Sequence, residues 1–596
     1  MNLRRFVSIP AAAVVIVACA TVLAVLSSRD DAPVVDEVPH IGAGYSYVSQ
    51  LDYRLNPEHP PLVKDLAGLS VSLLHVPASV FATTMWMTDV NGQWEFGRNL
   101  IFHSGLNADT VKTFARLPEL IFFLVACWLV WRWTSERYGE KSALLAVVLL
   151  AFSPTILAHA RLVTTDMAAA TGAVLATYFF VRFLRRPGGW PFVWSALTLG
   201  IALVCKFNDA LLGPFFLVVA FLWGLDGHIG SSRAWKNAAR TVGYAVAIGA
   251  ASFILFVWPL YFVQTLHEPA AKQHTDTIAI LGAHPTGILQ KAVVWASDKP
   301  VIRAAGHWGL GLAMVAQRES GGNTIYWMGR VVTSGGVWYF PIIYLLKEPI
   351  AWWILLAFAV TAFAFHRRRH AGEPKNGTWW TRNADEWVWV LWLIIYWAVS
   401  MQSTLNIGIR HLLPVYPFTI MLVAGRVGVM HDWLRRHNPG MVRLFAVTIG
   451  LLVGWYVFES VNVYPFYLTY FNQIAGGPSG GYRYVTDSNL DWGQDIKRLG
   501  IYLDDNHIRA VSLDYFGWAD PSYYLGTKYV WTTGSDWKDA ADFIRRNRSD
   551  GWIAVSATFF QESVFRSDGQ GAYRWLLDYT PTTVVGNSIF VWHITR

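Results

Sequence analysis

Charged residues are scarce: Asp, Glu, Lys and Arg make up 15% of the 596 residues, against 54% hydrophobic ones. A soluble chain of that length could not cover so much apolar surface with so little charge, so the membrane is the first hypothesis. Cysteine is scarcer still, and Cys19, Cys127 and Cys205 all fall inside apolar runs. That placement excludes a disulfide framework or a cysteine zinc site and makes them small core residues. No basic, aromatic-interleaved soluble stretch occurs, so the formal net charge of +8 does not indicate a nucleic-acid partner. Arg and Lys kept at one set of helix ends produce the same balance for topological reasons. No internal repeat is evident, which disfavours a transporter or flippase built from related halves.

What is abundant is apolar runs of spanning length, about 20 residues each. Hydropathy windows place eleven spans near 6–27, 113–133, 142–157, 163–183, 190–205, 208–225, 238–263, 342–365, 386–402, 411–429 and 444–463. The first is longer than a secretion-signal core of about 7 to 15 residues, so it reads as an uncleaved span. If Arg4 and Arg5 hold the N-terminus in the cytoplasm, alternate short loops should be basic. They are: Arg132, Arg137 and Lys141; Arg182, Arg185 and Arg186; Arg233, Lys236 and Arg240; Arg367 to Arg369; Arg435, Arg436 and Arg443. A miscounted span would reverse every later loop, and the series puts the C-terminus outside.

The expected fold class is therefore a polytopic α-helical membrane protein with its transmembrane unit in residues 1–463. Residues 28–112, 264–341 and the tail 464–596 become long extracytoplasmic segments, which usually carry function. Leu62, Leu66, Leu69 and Leu73 recur at helical spacing after Pro60 and Pro61. They fit an amphipathic helix along the interface or a buried loop helix. The tail reads as a small α/β domain, with helices at 491–506 and 537–547, strands at 510–516 and 552–559, and a hairpin of 583–585 with 589–594 around Gly586-Asn587.

Asp36 and Glu37 follow the first span, and Asp166 sits at the outer mouth of the fourth. A carboxylate so close to hydrocarbon needs a partner or a task, and burial would move it toward the range of a general base. Capping of its own helix, or pairing with Arg161, is the bland alternative for Asp166. Lys206, Arg410 and His411 fall on the same outer face, and Lys206, Arg410 and Lys347 could stabilise charge left on a lipid phosphate or simply anchor the interface. The run Arg54-Leu-Asn56-Pro-Glu58-His59-Pro-Pro-Leu62 is stiffened by three prolines, and Glu58 and His59 could orient a substrate or bind a divalent metal. Asp487, Asn489, Asp491 and Gln494 could contact sugar hydroxyls; a helix start capped by Asp491 is the alternative.

These segments resemble the protein O-mannosyltransferases, glycosyltransferase family 39, in their bacterial branch, and through them the GT-C class that includes the aminoarabinose transferases. The resemblance lies in Asp36-Glu37-Val-Pro-His40 with Gly44-Tyr45 and the Arg54 to Leu62 run, in Leu162 to Asp166, in Ser334 to Pro349 and in Gly408-Ile-Arg410-His411-Leu-Leu-Pro414. Tyr470 to Gly477 and Asp487 to Asp495 complete it. It implies a bacterial plasma-membrane enzyme that moves a sugar, such as mannose, from a polyprenyl-phosphate donor to an extracytoplasmic protein, lipid or glycan acceptor. It implies Asp36 as base, with Glu37 beside it, Asp166 as the second acidic position, and Lys206, Arg410, His411 and Arg161 around the donor phosphate. Arg54, Asn56, Glu58, His59, Lys347 and the Asp487 to Gln494 residues would bind substrate. No cofactor follows with certainty. The chain lacks the inserted central-loop domain of the eukaryotic members and carries the α/β tail instead, which leaves the acceptor open. A glycan-binding receptor is the rival of a different class.

Overall fold

The computed structural model describes residues 8–226, 232–282, 287–369, 383–566 and 572–595; Arg4 and Arg5 lie outside them. All eleven apolar runs become helical, because in hydrocarbon every backbone polar group must be satisfied within its own segment. Among the described residues, eight helices are long and apolar enough to cross a membrane, and a ninth span results if the bent pair Tyr339–Lys347 and Ile350–Ala364, meeting at 113°, is counted as one. Pro349 at that bend cannot continue a helix.

The other two expected spans are shorter. Gly189–Cys205 has 17 residues, and the run 142–157 splits into Glu140–Ala151 and Pro154–His159. Ser153 makes the split: its hydroxyl accepts the Ile156 N–H as an N-cap, and Pro154 occupies the first helical position.

Thr165–Arg185 is the central helix, with 83% of its most apolar window buried, whereas in Pro439–Asn462 the share is 6% and the helix turns its apolar surface outward. One end of the bundle is tied by ion pairs between the basic helix ends and acidic neighbours: Arg137 to Glu386 at 2.8 Å, Arg185 to Asp385 at 2.7 Å and Arg182 to Glu136 at 3.0 Å. The opposite end carries the long segments.

There Glu37–Gln50 crosses Leu62–Ser72 backbone against backbone. A Cβ on Gly44 would lie 1.9 Å from the Lys64 carbonyl oxygen, and one on Gly68 would lie 2.2 Å from that of Gly44. Leu69 and Leu73 point outward, 54% and 68% exposed, while Val63, Lys64, Asp65 and Ala67 are buried on the other side. Leu62 and Leu66 are half-buried and pack against the core, so the leucine stripe is divided between core and surface, and the buried face is partly polar.

The second long segment contributes a small hairpin, β1 (Ile325–Trp327) with β2 (Arg330–Val332). The tail forms a five-stranded sheet from β3 (Val511–Asp514), β4 (Tyr529–Trp531), β5 (Trp552–Ser556), β6 (Thr583–Val585) and β7 (Ile589–His593), in the order β4-β3-β5-β7-β6. The first three are parallel and the last two antiparallel. Gly586 and Asn587, with φ of 62° and 64°, supply the left-handed pair that a two-residue hairpin turn demands. The expected helices shorten to Ile496–Asp505 and Ala540–Arg546. Asp491 caps neither, because its carboxylate accepts the Thr558 N–H at 2.9 Å. The tail is joined to the first long segment: Ala32 N–H donates to the Gln494 carbonyl at 2.8 Å and Val35 N–H to that of Trp492 at 3.0 Å.

Gly68→Ala should lower the detergent melting temperature by the equivalent of about 1 to 3 kcal/mol through overpacking. Gly213→Ala, whose Cβ meets nothing within 4 Å, should not. Equal melting of both proteins would show that the crossing is not tight.

Candidate active site

Four span ends meet where the long segments begin. Asp36 immediately precedes the helix Glu37–Gln50, Asp166 lies in the first turn of Thr165–Arg185, Lys206 follows Gly189–Cys205, and Arg410 lies in the 3₁₀ turn Ile409–Val415. Their charges alternate in space. Arg410 Nη1 is 2.6 Å from Asp36 Oδ2 and 3.6 Å from Asp166 Oδ2, and Lys206 Nζ is 2.6 Å from Asp166 Oδ1. The Arg410 guanidinium also lies 4.3 Å from the centre of the Trp492 ring. Asp36 is the open end of this ladder: its side chain is 21% exposed, against 1% for Asp166. Burial pushes the Asp36 carboxyl up, but the Arg410 guanidinium outweighs burial and holds it below the ordinary carboxylate range.

Asp36 and Arg410 line a cavity of about 270 Å³. The first long segment adds His40, Asn56, Glu58 and His59, the second adds Arg318 and Asn323, and the tail adds Asp487, Trp518 and Glu562. Burial keeps both imidazoles neutral, lowering His40 and, more strongly, His59, where His40 and Lys64 contribute further. Burial raises Asp487 against the opposing pull of Arg410, and raises Glu562, with help from Asp487, to about 7.

Several residues expected at the site lie elsewhere, each for a stated reason. Glu37 points away from the cavity and is fully buried: both oxygens take the Arg116 guanidinium, at 2.7 and 2.5 Å, and the Val34 and Val163 N–H groups complete its shell. It holds the loop in place and is not part of the lining of that cavity. Arg161 pairs with Asp31 at 2.7 Å, neither with Asp166 nor toward the cavity. His411 is buried against Phe340, with ring centres 5.0 Å apart. Arg54 is held by Asp52 at 2.5 Å and by the Trp86 ring.

Lys347 donates to the carbonyls of Leu468 and Asn489, both at 2.7 Å, tying the bent helix pair to the tail. Asn489 accepts the Ile409 N–H at 2.9 Å, and Gln494 spends its amide on the Trp492 N–H and the Leu490 carbonyl. Asp491, pushed up to about 8 by burial, braces Thr558. Of the group from Asp487 to Gln494, Asp487 alone among the four expected residues reaches the cavity. Lys206 is spent on Asp166, so Arg410 is the expected cation that reaches it.

No group of three or more His, Cys, Asp or Glu among the described residues is placed to hold a metal ion. Glu58 accepts from Gln93 at 2.9 Å and Asn91 at 3.3 Å, and the His59 ring meets His40 edge-on, which leaves that pair poorly arranged for one. Sequence reasoning passed over Asp31, Lys64, Arg318, Trp518 and Glu562. Lys64 had a readable signal, a Lys among leucines three residues past Pro61. It is fully buried and donates to Tyr47, to Asn56 and to the His59 carbonyl, at 2.7 to 3.1 Å, so it shapes the loop that presents Glu58 and His59.

Residues 106–260 match the family model for dolichyl-phosphate-mannose-protein mannosyltransferase. No curated protein matches the sequence. The solved structure of ArnT from Cupriavidus metallidurans bound to undecaprenyl phosphate is similar at 13% identity and a TM-score of 0.43, covering 97% of each chain. The Archaeoglobus fulgidus oligosaccharyltransferase is similar at 11% identity, with 94% of this chain and 72% of that one covered; the TM-scores are 0.44 for the apo form and 0.46 for the form tethered to an acceptor peptide.

Glu37→Ala should strand Arg116 in a buried site and cost about 3 to 5 kcal/mol of stability. A thermal-shift series with Arg116→Ala and the double variant checks it, and additive losses would show that the two residues do not act as a pair.

Proposed function

We propose that the chain is an inverting glycosyltransferase, moving a hexose such as mannose from a polyprenyl phosphate to an acceptor hydroxyl on the extracytoplasmic side of a bacterial plasma membrane. A protein Ser or Thr is the favoured acceptor. The observation that carries this reading is the Asp36–Arg410 pair at the cavity wall, where a carboxylate and a cation stand side by side at the end of a membrane bundle. The family model matched by residues 106–260 supports the same chemistry.

In this reading the acceptor oxygen attacks the anomeric carbon on the face opposite the phosphate. Its proton passes to a carboxylate oxygen of Asp36. The bond from the anomeric carbon to the phosphate oxygen breaks, its electron pair stays on that oxygen, and Arg410 faces the charge that results. No covalent enzyme intermediate is needed, so the sugar inverts. Asp166 and Lys206 keep their part of the ladder neutral and hold Arg410 between two carboxylates, which makes them positioning residues. As the phosphate draws on the Arg410 charge, the hold of that charge on Asp36 weakens and its basicity rises.

Asp36→Asn should reduce transfer by about 10²- to 10⁴-fold, the usual contribution of a general base, with little change in donor binding. The assay is transfer of labelled sugar from a panel of synthetic polyprenyl-phosphate hexoses to native membrane acceptors by protein in nanodiscs. Undiminished transfer would remove Asp36 from the mechanism. Because Asp36 is held below its ordinary range, its protonation should not reduce activity between about pH 8 and pH 5. An acid limb there that disappears in Asp36→Glu, and in no other variant, would contradict that assignment.

A further inference from the structure

The residues that line the cavity are of two chemical kinds. Asp36 and Arg410 form the charged pair where the proposed reaction takes place. The α/β tail adds an aromatic ring and carboxyls, of which Asp487 lies within electrostatic reach of that pair. Trp518 follows strand β3 and stacks on Trp94 of the first segment, with ring centres 4.9 Å apart and planes 24° from parallel. Glu562 lies on the helix Ala557–Phe565 that follows β5. Asp487 opens the 3₁₀ turn Asp487–Asn489 of the tail, with a φ of 54°. Aromatic surface beside carboxyls suits a neutral ring bearing hydroxyls, because its C–H face packs on the indole while its O–H groups donate to the oxygens. Two carboxyls, Asp487 and Glu562, face this space, and the cations that line the cavity are Arg410, already paired with Asp36, and Arg318.

An independent observation comes from His40. It is 1% exposed and lines the cavity. Its Nδ1 lies 2.8 Å from the Val163 carbonyl oxygen, which can only accept, so Nδ1 carries the proton. Nε2 is then a bare acceptor, and it is buried without a hydrogen-bond partner. A buried acceptor left unsatisfied is costly, and a ligand hydroxyl would remove that cost.

We infer that the tail forms one wall of a pyranose subsite, in which Trp518 flanks the sugar ring and Glu562, Asp487 and His40 Nε2 take its hydroxyls. The inference rests on the transferase reading and adds to it a role for the α/β tail: the unit is a specificity element of the site. Glu562, raised to about 7, is able near neutrality either to donate or to accept. The ring is either the hexose on the donor lipid or a sugar of a glycan acceptor, and two arms of one experiment separate them.

In the first arm, full-length protein in nanodiscs is titrated with a polyprenyl-phosphate hexose and with bare polyprenyl phosphate. In the wild type the sugar should add affinity. Glu562→Ala and Trp518→Ala should each erase about tenfold of that added affinity, the loss of one good contact, with bare-lipid binding unchanged. Glu562→Gln and Trp518→Phe should keep part of it, which separates lost recognition from lost folding. In the second arm, the KM for solubilised native-membrane glycan is measured. A tenfold rise there, with donor affinity intact, assigns the ring to the acceptor. Variants that change neither quantity overturn the subsite while leaving the transferase reading standing. Wild-type protein that binds neither lipid overturns both.

Discussion

Everything near the cavity depends on the ladder Asp36–Arg410–Asp166–Lys206. A single buried charge at the edge of hydrocarbon is costly, and an ion pair recovers that cost only with good geometry. Four alternating charges satisfy one another, provided that four chain segments arrive at one point. The local structure shows what that convergence requires. Arg410 reaches the point from a 3₁₀ turn and not from a regular α-helix, a second 3₁₀ turn, Phe207–Leu211, follows Lys206, and an extended Thr164 precedes Asp166. The tightened or interrupted ends free the side chains to turn inward where a continued α-helix would carry them around its axis.

A second charged group supports the first. Asp31 is held by Arg161 at 2.7 Å and by Arg498 at 2.6 Å, and Glu37 by Arg116. Asp36 therefore lies on a short stretch of backbone anchored on both sides by buried carboxylates. The anchors reach into different parts of the chain: Arg116 into the second span, Arg161 into the loop before the central helix, and Arg498 into the tail. The tail is fastened to the loop that carries Asp36 through the Arg498 guanidinium on Asp31 and through the backbone hydrogen bonds of Ala32 and Val35. Its placement over the cavity follows from electrostatics and sheet-like pairing together.

Much of this arrangement was legible in the sequence, and the limits follow a physical line. Hydropathy located the eleven apolar runs and passed over the helices of the long external segments, since apolarity over a membrane thickness is a property of consecutive residues. The Gly586-Asn587 hairpin was legible for the same reason. Topology brought Asp36, Asp166, Lys206 and Arg410 to one face, and the structure places those four in contact. Partner choice was not legible. Arg161 stands five residues from Asp166 yet pairs with Asp31, and Glu37, adjacent to Asp36, points the other way because a helix begins between them. Lys347 and Asn489 look like ligand-binding groups in one dimension, but in three they satisfy backbone groups of another segment. Trp518 and Glu562 lie in ordinary stretches of a strand-helix tail, where no local pattern announces that the tail will fold back over a cavity.

An aspartate held below its ordinary range is at first sight a poor base, and the pairing with Arg410 needs a physical account. A general base in glycosyl transfer takes its proton late, as the attacking oxygen forms its new bond and becomes far more acidic than a free alcohol. What the step needs is a carboxylate that is ionised and correctly placed before the acceptor arrives, and strong basicity matters less than either. Arg410 provides both conditions at once. It keeps Asp36 ionised, and by lying between Asp36 and Asp166 it fixes the direction from which a lipid phosphate would meet positive charge. In the proposed reaction the same guanidinium would face the base and the leaving group, so charge moving from one to the other would stay within reach of one cation. That economy requires the cation to be immobile, and the Trp492 ring beneath it, together with the Ile407 carbonyl that accepts from its Nε at 3.0 Å, supplies the immobility.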